Sequence, residues 1–259
     1  METVSGKIAL VTGGGRGIGR SLALAFAARG NPVVVTGRTQ SRLDQVAAEV
    51  DRLGGKALPL RCDVTRRPEV EALKNVIESK LGTVQILINN AGMAPAAAFL
   101  EMEDCLWEEV FKVNLTGTYY CCKVFLPAMI ASGWGRVINI ASTVAKVAYS
   151  HISAYVASKH AVLGLTRALA VEMGRTGVTV NAICPGYVET ELTLNNAKMM
   201  AEKTGRSLEQ ILGLFKRTSP QNRLIDPKEV AELALMLASE SASGITGQAI
   251  NVDGGAVMV

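Results

Sequence analysis

The chain has 259 residues, of which 49% are hydrophobic, 19% charged and 25 glycine, with a formal net charge of +4. This length and composition suit one large, well-packed α/β domain and exclude a disordered chain. The small charge, the lack of like-charge runs and an aromatic content of only 5% argue against a nucleic-acid-binding surface.

In chain order, the opening METVSGKIALVTGG carries no charged-then-apolar leader pattern. KIALVTGG (7–14) is an apolar run that closes on glycines. RSLALAFAARG (20–30) then repeats apolar residues at helical spacing up to Gly30, so strand, glycine turn and helix follow one another. PVVVTG (32–37), β-branched between Pro and Gly, predicts a second strand, and a polar-faced helix follows at 41–53. ALPLRCDV (57–64) predicts a third strand and PEVEALKNVIESKLG (68–82) a helix. Further strands are predicted at VQILINNAG (84–92), GRVINIAS (135–142), VTVNAICPG (178–186) and GQAINVDGG (247–255). Helices at 119–131, 154–173 and 227–238 fill the gaps.

Apolar strands alternating with helices imply a seven-stranded parallel sheet covered on both faces, a Rossmann-like doubly wound α/β fold in a single domain over 1–259. Only 189–219 breaks the rhythm. It is polar, helix-prone and follows the sixth strand, which predicts a lid over a site at the carboxyl ends of the strands. No apolar stretch reaches the roughly eighteen residues of a membrane span. The five cysteines, Cys62, Cys105, Cys121, Cys122 and Cys184, show no CxxC spacing, and no paired histidines accompany them. The expectation is reduced, buried thiols in a cytoplasmic protein, with no metal site, no disulfide framework and no membrane or nucleic-acid partner.

Two stretches carry chemistry. TGGGRGIG (12–19) puts Gly13, Gly17 and Gly19 between strand and helix. There the backbone turns tightly against a pyrophosphate, and the helix N-terminus offers free N–H groups. SAYVASKH (153–160) puts Tyr155 and Lys159 one helical turn apart on one face. A phenol of ordinary pKa about 10 and an ammonium of about 10.4 are poor proton donors at neutral pH, so the pairing points to mutual tuning.

TGxxxGxG, then NNAG (89–92), Asn114, Ser142, YxxxK and the Pro185–Gly186 pair stand in order, and the chain resembles the short-chain dehydrogenase/reductase family from residue 7 to 255. NIAST with Lys146, His151 and SKHAVLG is most similar to the β-ketoacyl and polyketide ketoreductases. The resemblance implies an NADPH-dependent oxidoreductase reducing a ketone, such as a β-ketoacyl thioester on coenzyme A or an acyl carrier protein. Tyr155 would be the proton donor, Lys159 its cationic partner and a ribose contact, and Ser142 the donor to the carbonyl oxygen. Asn114 would hold a water that relays protons from the lysine.

It further implies a cofactor bordered by Gly13, Gly15, Arg16, Gly17, Ile18 and Gly19 of the turn. Asp63 and Val64 would lie at the adenine, Asn90, Ala91 and Gly92 at the adenosine ribose, and Pro185, Gly186, Val188 and Thr190 at the nicotinamide and pyrophosphate. It implies a homotetramer too. An NAD site usually ends the second strand with an acid that accepts from the ribose 2′-hydroxyl. Here that position is Gly37, followed by Arg38 and with Arg16 in the turn, so NADP(H) is expected.

His151 either borders the substrate or only starts a helix. Lys198, Lys203, Arg206, Lys216 and Arg217 either meet the phosphates of a carrier arm or form a solvated face. Two other functions stay open: an NAD(P)-dependent dehydrogenase oxidising a secondary alcohol or sugar, and a dinucleotide-binding sensor that has lost its chemistry.

Overall fold

The strands β1 (Ala9–Thr12), β2 (Pro32–Gly37), β3 (Lys56–Arg61), β4 (Ile86–Asn89), β5 (Gly135–Ile140), β6 (Val178–Pro185) and β7 (Ala249–Val252) form one parallel sheet in the order 3-2-1-4-5-6-7. The structure is a computed structural model and describes residues 4–259. Successive strand residues point to opposite faces, and here both faces are apolar. Val11, Val33, Val35, Ile86 and Ile88 join one buried layer, while Leu10, Val34, Leu87 and Val137 join the other. The strands therefore read as unbroken hydrophobic runs.

The first layer is closed by α1 (Gly17–Ala28), α2 (Gln40–Arg52) and α9 (Pro227–Ala238), through Leu22, Phe26, Val46, Val50 and Val230. The second is closed by α3 (Arg67–Lys80) and α5 (Gly117–Ala131), through Ile77, Phe125 and Met129. Alongside them α6 (Ser153–Glu172) buries Val162 and Leu163 against Ala182 and Cys184 of β6. Strand order reverses between β1 and β4, so a crevice opens at their carboxyl ends, where ligands of such sheets bind.

Two features, the helix α4 (Asp104–Phe111) and Cys105, depart from the sequence expectations, while the helix-prone 189–219 segment is helical. The helix α4, not predicted, precedes α5 and joins it through a single π-helical turn, Lys112–Thr116. Leu106, Trp107, Val110 and Phe111 recur there at helical spacing, so the signal was present in the sequence, although Val110 alone is fully buried. The 189–219 segment is two helices, α7 (Glu191–Thr204) and α8 (Leu208–Arg217). Gly205, at φ +69°, ends the first, and Ser207 with Gln210 forms a capping box on the second. Finally, Cys105 is exposed, whereas the other four free cysteines are buried as expected. Burial pushes the Cys62 and Cys122 thiols up to about 12, so they pack as apolar groups.

Candidate active site

The glycine turn closes β1 onto α1. Gly13 and Gly17 have φ of +63° and +51°, and a Cβ on Gly19 would lie 2.2 Å from the Gly13 carbonyl oxygen, so larger residues cannot build this turn. Arg16 occupies the N-cap of α1 without a side-chain cap, and the first turn of α1 holds no acid. The free N–H groups and positive helix end are thus left for an anion. The Asn90 amide donates to the carbonyls of Thr12 (2.9 Å) and Gly13 (3.1 Å), and Thr12 Oγ1 accepts from the backbone N–H groups of Asn90 and Ala91. The Asn90 side chain is therefore spent on shaping the turn.

From this turn a cleft of about 1400 Å³ runs across the carboxyl edge of the sheet. Gly13, Gly15, Arg16, Gly17, Ile18, Gly19, Arg38, Asp63, Val64, Asn90, Ala91 and Gly92 line it, together with Ser142, His151, Tyr155, Lys159, Pro185, Gly186, Val188 and Thr190. Of the residues singled out from sequence for catalysis or cofactor binding, only Asn114 is not on its wall.

Asn114 lies buried in the π turn behind the cleft. Its Oδ1 accepts from Met93 N–H (2.9 Å), its Nδ2 donates to Met93 O and Ser158 Oγ (3.0 Å each), and its own carbonyl accepts from Thr118 Oγ1 (2.9 Å). Gly92 fits closely over it, since a Cβ there would be 3.2 Å from Asn114 Oδ1 and 3.6 Å from Lys159 Nζ.

At one end of the cleft, α6 presents Tyr155 and Lys159 on one face. Lys159 Nζ donates to the Ile140 carbonyl at 2.7 Å and stands 5.8 Å from the centre of the Tyr155 ring. Burial drives the lysine down to about 8. Burial also raises Tyr155, and the hydrogen bond with Ser142 opposes that rise. The expected lowering of the phenol by Lys159 is not found: removal from water raises Tyr155, and only the Ser142 hydrogen bond opposes it. Ser142 itself caps a short 3₁₀ turn, its Oγ accepting from Val144 N–H at 3.3 Å.

At the other end, β2 stops at Gly37 with Arg38 beside it. Burial raises the Asp63 carboxyl, but hydrogen bonds from Thr65 and the charges of Arg38 and Arg66 outweigh that and hold it below its ordinary value. Arg16 meets Glu191, the first residue of α7, at 3.4 Å. Arg42, in the first turn of α2, donates to both oxygens of the same carboxylate at 3.1 and 3.2 Å. Neither Arg42 nor Glu191 was singled out from sequence. Arg38 precedes α2, so no shared helix face links it to Arg42, and an acid just after Thr190 reads simply as a helix start.

Between the two ends, Gly186 packs on Asp253, where a Cβ would approach Asp253 Cβ to 2.9 Å. His151 adopts φ +64°, and its carbonyl accepts from Ala97 N–H at 2.8 Å, so its backbone pins the neighbouring loop. The outer wall holds Met93, Tyr149, Tyr187, Met199, Met200 and Phe215, with the Tyr187 and Phe215 rings stacked at 4.2 Å. Met93, Tyr149 and Tyr187 lie on loops and Met199 and Met200 on α7, whereas Phe215 continues the Leu208, Ile211 and Leu212 stripe of α8 and so carried a helical signal. Of the five cations noted in 189–219, only Lys203 lines the cleft.

This sheet order and cleft define the short-chain dehydrogenases, and the chain belongs to that family: residues 7–201 match the family model described as short chain dehydrogenase. Among its relatives is a putative ketoacyl reductase of Streptomyces coelicolor, 39% identical over 257 residues and covering 98% of each chain. A D-beta-hydroxybutyrate dehydrogenase of Cupriavidus necator is 38% identical over 255 residues, covering 97% of this chain and 98% of its own. The crystal structure of a single-residue variant of actinorhodin polyketide ketoreductase with NADPH superposes with a TM-score of 0.94 at 39% identity, covering 96% of this chain and 97% of that one.

Proposed function

We propose that this chain is an NADPH-dependent reductase that converts a ketone, of the β-ketoacyl thioester class or a related carbonyl, into a secondary alcohol. The observation that carries the reading is a single cleft with Ser142, Tyr155 and Lys159 at one end and, at the other, an acid-free strand end at Gly37 facing Arg16 and Arg38. The glycine turn fits a dinucleotide, since its left-handed glycines and uncapped helix end leave room and N–H groups for a pyrophosphate. Arg16 and Arg38 would take the ribose phosphate, and Lys159 the nicotinamide ribose.

NADPH, when bound, supplies the hydride to the carbonyl carbon. Tyr155 donates its phenolic proton to the carbonyl oxygen, completing the alcohol and leaving a phenolate. The Ser142 hydroxyl bonds that oxygen as charge develops on it. Lys159, as an ammonium, stabilises the phenolate. Asn114 positions Met93 and Ser158, and Ser158 Oγ in turn donates to the Tyr155 carbonyl at 2.8 Å, which steadies the donor's turn of α6. Residues 4–259 form one domain, with 189–219 as its lid.

Ser142, Tyr155 and Lys159 on one cleft, with Asn114 behind it, argue for chemistry over a sensor, and the missing acid at Gly37 argues against the NAD-dependent form of a secondary-alcohol or sugar dehydrogenase. No helix among the described residues is long and apolar enough to cross a membrane. Exposed Leu100, Trp107 and Tyr119 offer apolar surface for a homotetramer.

The test is cofactor consumption with a panel of ketones and β-ketoacyl thioesters. Consumption of NADPH in preference to NADH is expected with at least the thioesters. No turnover with any carbonyl, or a preference for NADH, would overturn the reading.

A further inference from the structure

We propose that Glu191 is the resident counter-ion of the cofactor's phosphate site and Arg42 that site's third guanidinium. An incoming 2′-phosphate would take Arg42 and Arg16 from Glu191 and free the first turn of α7. The inference rests on the NADPH reading above and adds a specificity residue and a link to the lid.

Three segments meet at one carboxylate. Arg16 belongs to the glycine turn, Arg42 to α2 and Glu191 to α7. The contacts around them are close. A Cβ on Gly15 would lie 3.1 Å from Arg42 Cβ, and one on Gly17 would lie 3.2 Å from the Thr190 methyl, so α2 and the lid both seat on the turn. Arg16, Arg38, Arg42 and Glu191 all line the same cleft. Among the described residues, Glu191 is the acid that pairs with Arg16 and Arg42, since Asp63 faces Arg38 and Arg66 and Glu49 pairs with Arg20. The hydrogen bonds from Arg42, with the added charge of Arg16, hold Glu191 below the ordinary carboxylate range, so it is an anion at neutral pH.

The exposure of these groups makes the exchange feasible. The side chains of Arg16, Arg42 and Glu191 are 52%, 41% and 44% exposed, and ion pairs in that condition are weak and screened. A phosphate brings more charge than a carboxylate and three acceptor oxygens, which suit forked guanidiniums. A bare 2′-hydroxyl brings neither, so NADH leaves the Glu191 pairs in place. Binding linkage is reciprocal: whatever Glu191 contributes to holding the lid on the turn is subtracted from phosphate affinity.

The probes are 2′,5′-ADP and 5′-AMP, which carry the adenosine half with and without the 2′-phosphate and do not reach the nicotinamide end. Calorimetric titration of the full chain is expected to show Glu191→Gln, nearly isosteric, tightening 2′,5′-ADP by about two- to fivefold, the range of an exposed ion pair. The same variant should leave 5′-AMP unchanged. Arg42→Ala should weaken 2′,5′-ADP by about tenfold and cancel the gain from Glu191→Gln in the double variant. Hydrogen exchange in the first turn of α7 should rise with 2′,5′-ADP and not with 5′-AMP.

Thermal unfolding of each variant verifies that it is folded, and Arg42→Lys, which keeps the charge without the fork, should fall between wild type and Arg42→Ala. An indifferent Glu191→Gln, or equal changes for both nucleotides, would overturn the inference while leaving the NADPH reading intact. A wild type that binds 5′-AMP as tightly as 2′,5′-ADP would overturn both.

Discussion

The two ends of the cleft hold cations under opposite conditions. Lys159 is only 5% exposed, and burial has pushed it down to about 8. Arg16 and Arg42 sit at the other end with about half of each side chain in water, sharing a carboxylate that a competing anion can replace. At the buried end, removal from water tunes which groups carry protons, which is what proton transfer to a carbonyl needs. At the exposed end, charge is permanent and screened, which suits recognition of a phosphate. On the proposed function one sheet edge provides both a proton donor and a salt-sensitive anion site, and each should fail in its own way when altered.

The largest expected effect is at the buried end. Tyr155→Phe removes the proton and little volume, and should lower kcat by about a hundred- to ten-thousandfold. NADPH affinity measured by fluorescence titration should stay near wild type, so a matching loss of affinity would break the separation of the two ends.

Next comes Arg38→Ala, expected to weaken NADPH by about tenfold to a hundredfold with little change for NADH. The deficit should shrink as salt is raised, because screening removes in wild type what the substitution removes in the variant. A deficit that is the same at low and high salt would count against an exposed phosphate site.

A smaller effect sharpens the contrast through stability. Folding lowers Lys159 from its ordinary value of 10.5 to about 8, so between those values the unfolded chain binds more protons and stability rises with pH. Below about 8 the buried ammonium destabilises the cofactor-free fold. Lys159→Met should therefore raise the Tm by several degrees at neutral pH, with the gain shrinking as pH climbs through that window, while activity and NADPH affinity both fall. A gain that is constant with pH would mean that the lysine is not buried as a charge.

The smallest expected effect concerns the lid. Lys203 is the lid cation of the five that reaches the cleft. Lys203→Ala should raise KM for acyl-coenzyme A substrates by about two- to fivefold and spare small free ketones. Equal effects on both classes would identify Lys203 as part of a solvated face.

Much of this was legible from residue types, and what was not has physical causes. β2 was predicted at 32–37 and is found there because Pro32 and Gly37 bracket a β-branched run buried on both faces. The glycine turn and the Tyr155–Lys159 spacing are local patterns, and the structure brings all of them to one cleft. α4 carried its signal in Leu106, Trp107, Val110 and Phe111 at helical spacing, but over only eight residues, with Val110 alone fully buried. The Arg42–Glu191 pair was not legible, because its members are 149 positions apart and each reads as an ordinary surface charge. The upward shift of Tyr155 depends on the apolar wall assembled around it, which no local stretch reveals. The side-chain partners of Asn114 likewise exist only once the π turn brings it against Met93 and α6.

On the proposed function the buried end performs the chemistry and the exposed end only recognises the cofactor. Single-turnover reduction of a β-ketoacyl thioester, with each variant saturated with NADPH beforehand, tests it most directly. Saturation cancels differences in affinity, so Arg38→Ala should turn over at close to the wild-type rate while Tyr155→Phe stays nearly inert. A Tyr155→Phe enzyme that transfers hydride at a near wild-type rate, or an Arg38→Ala enzyme that remains slow when saturated, would contradict it.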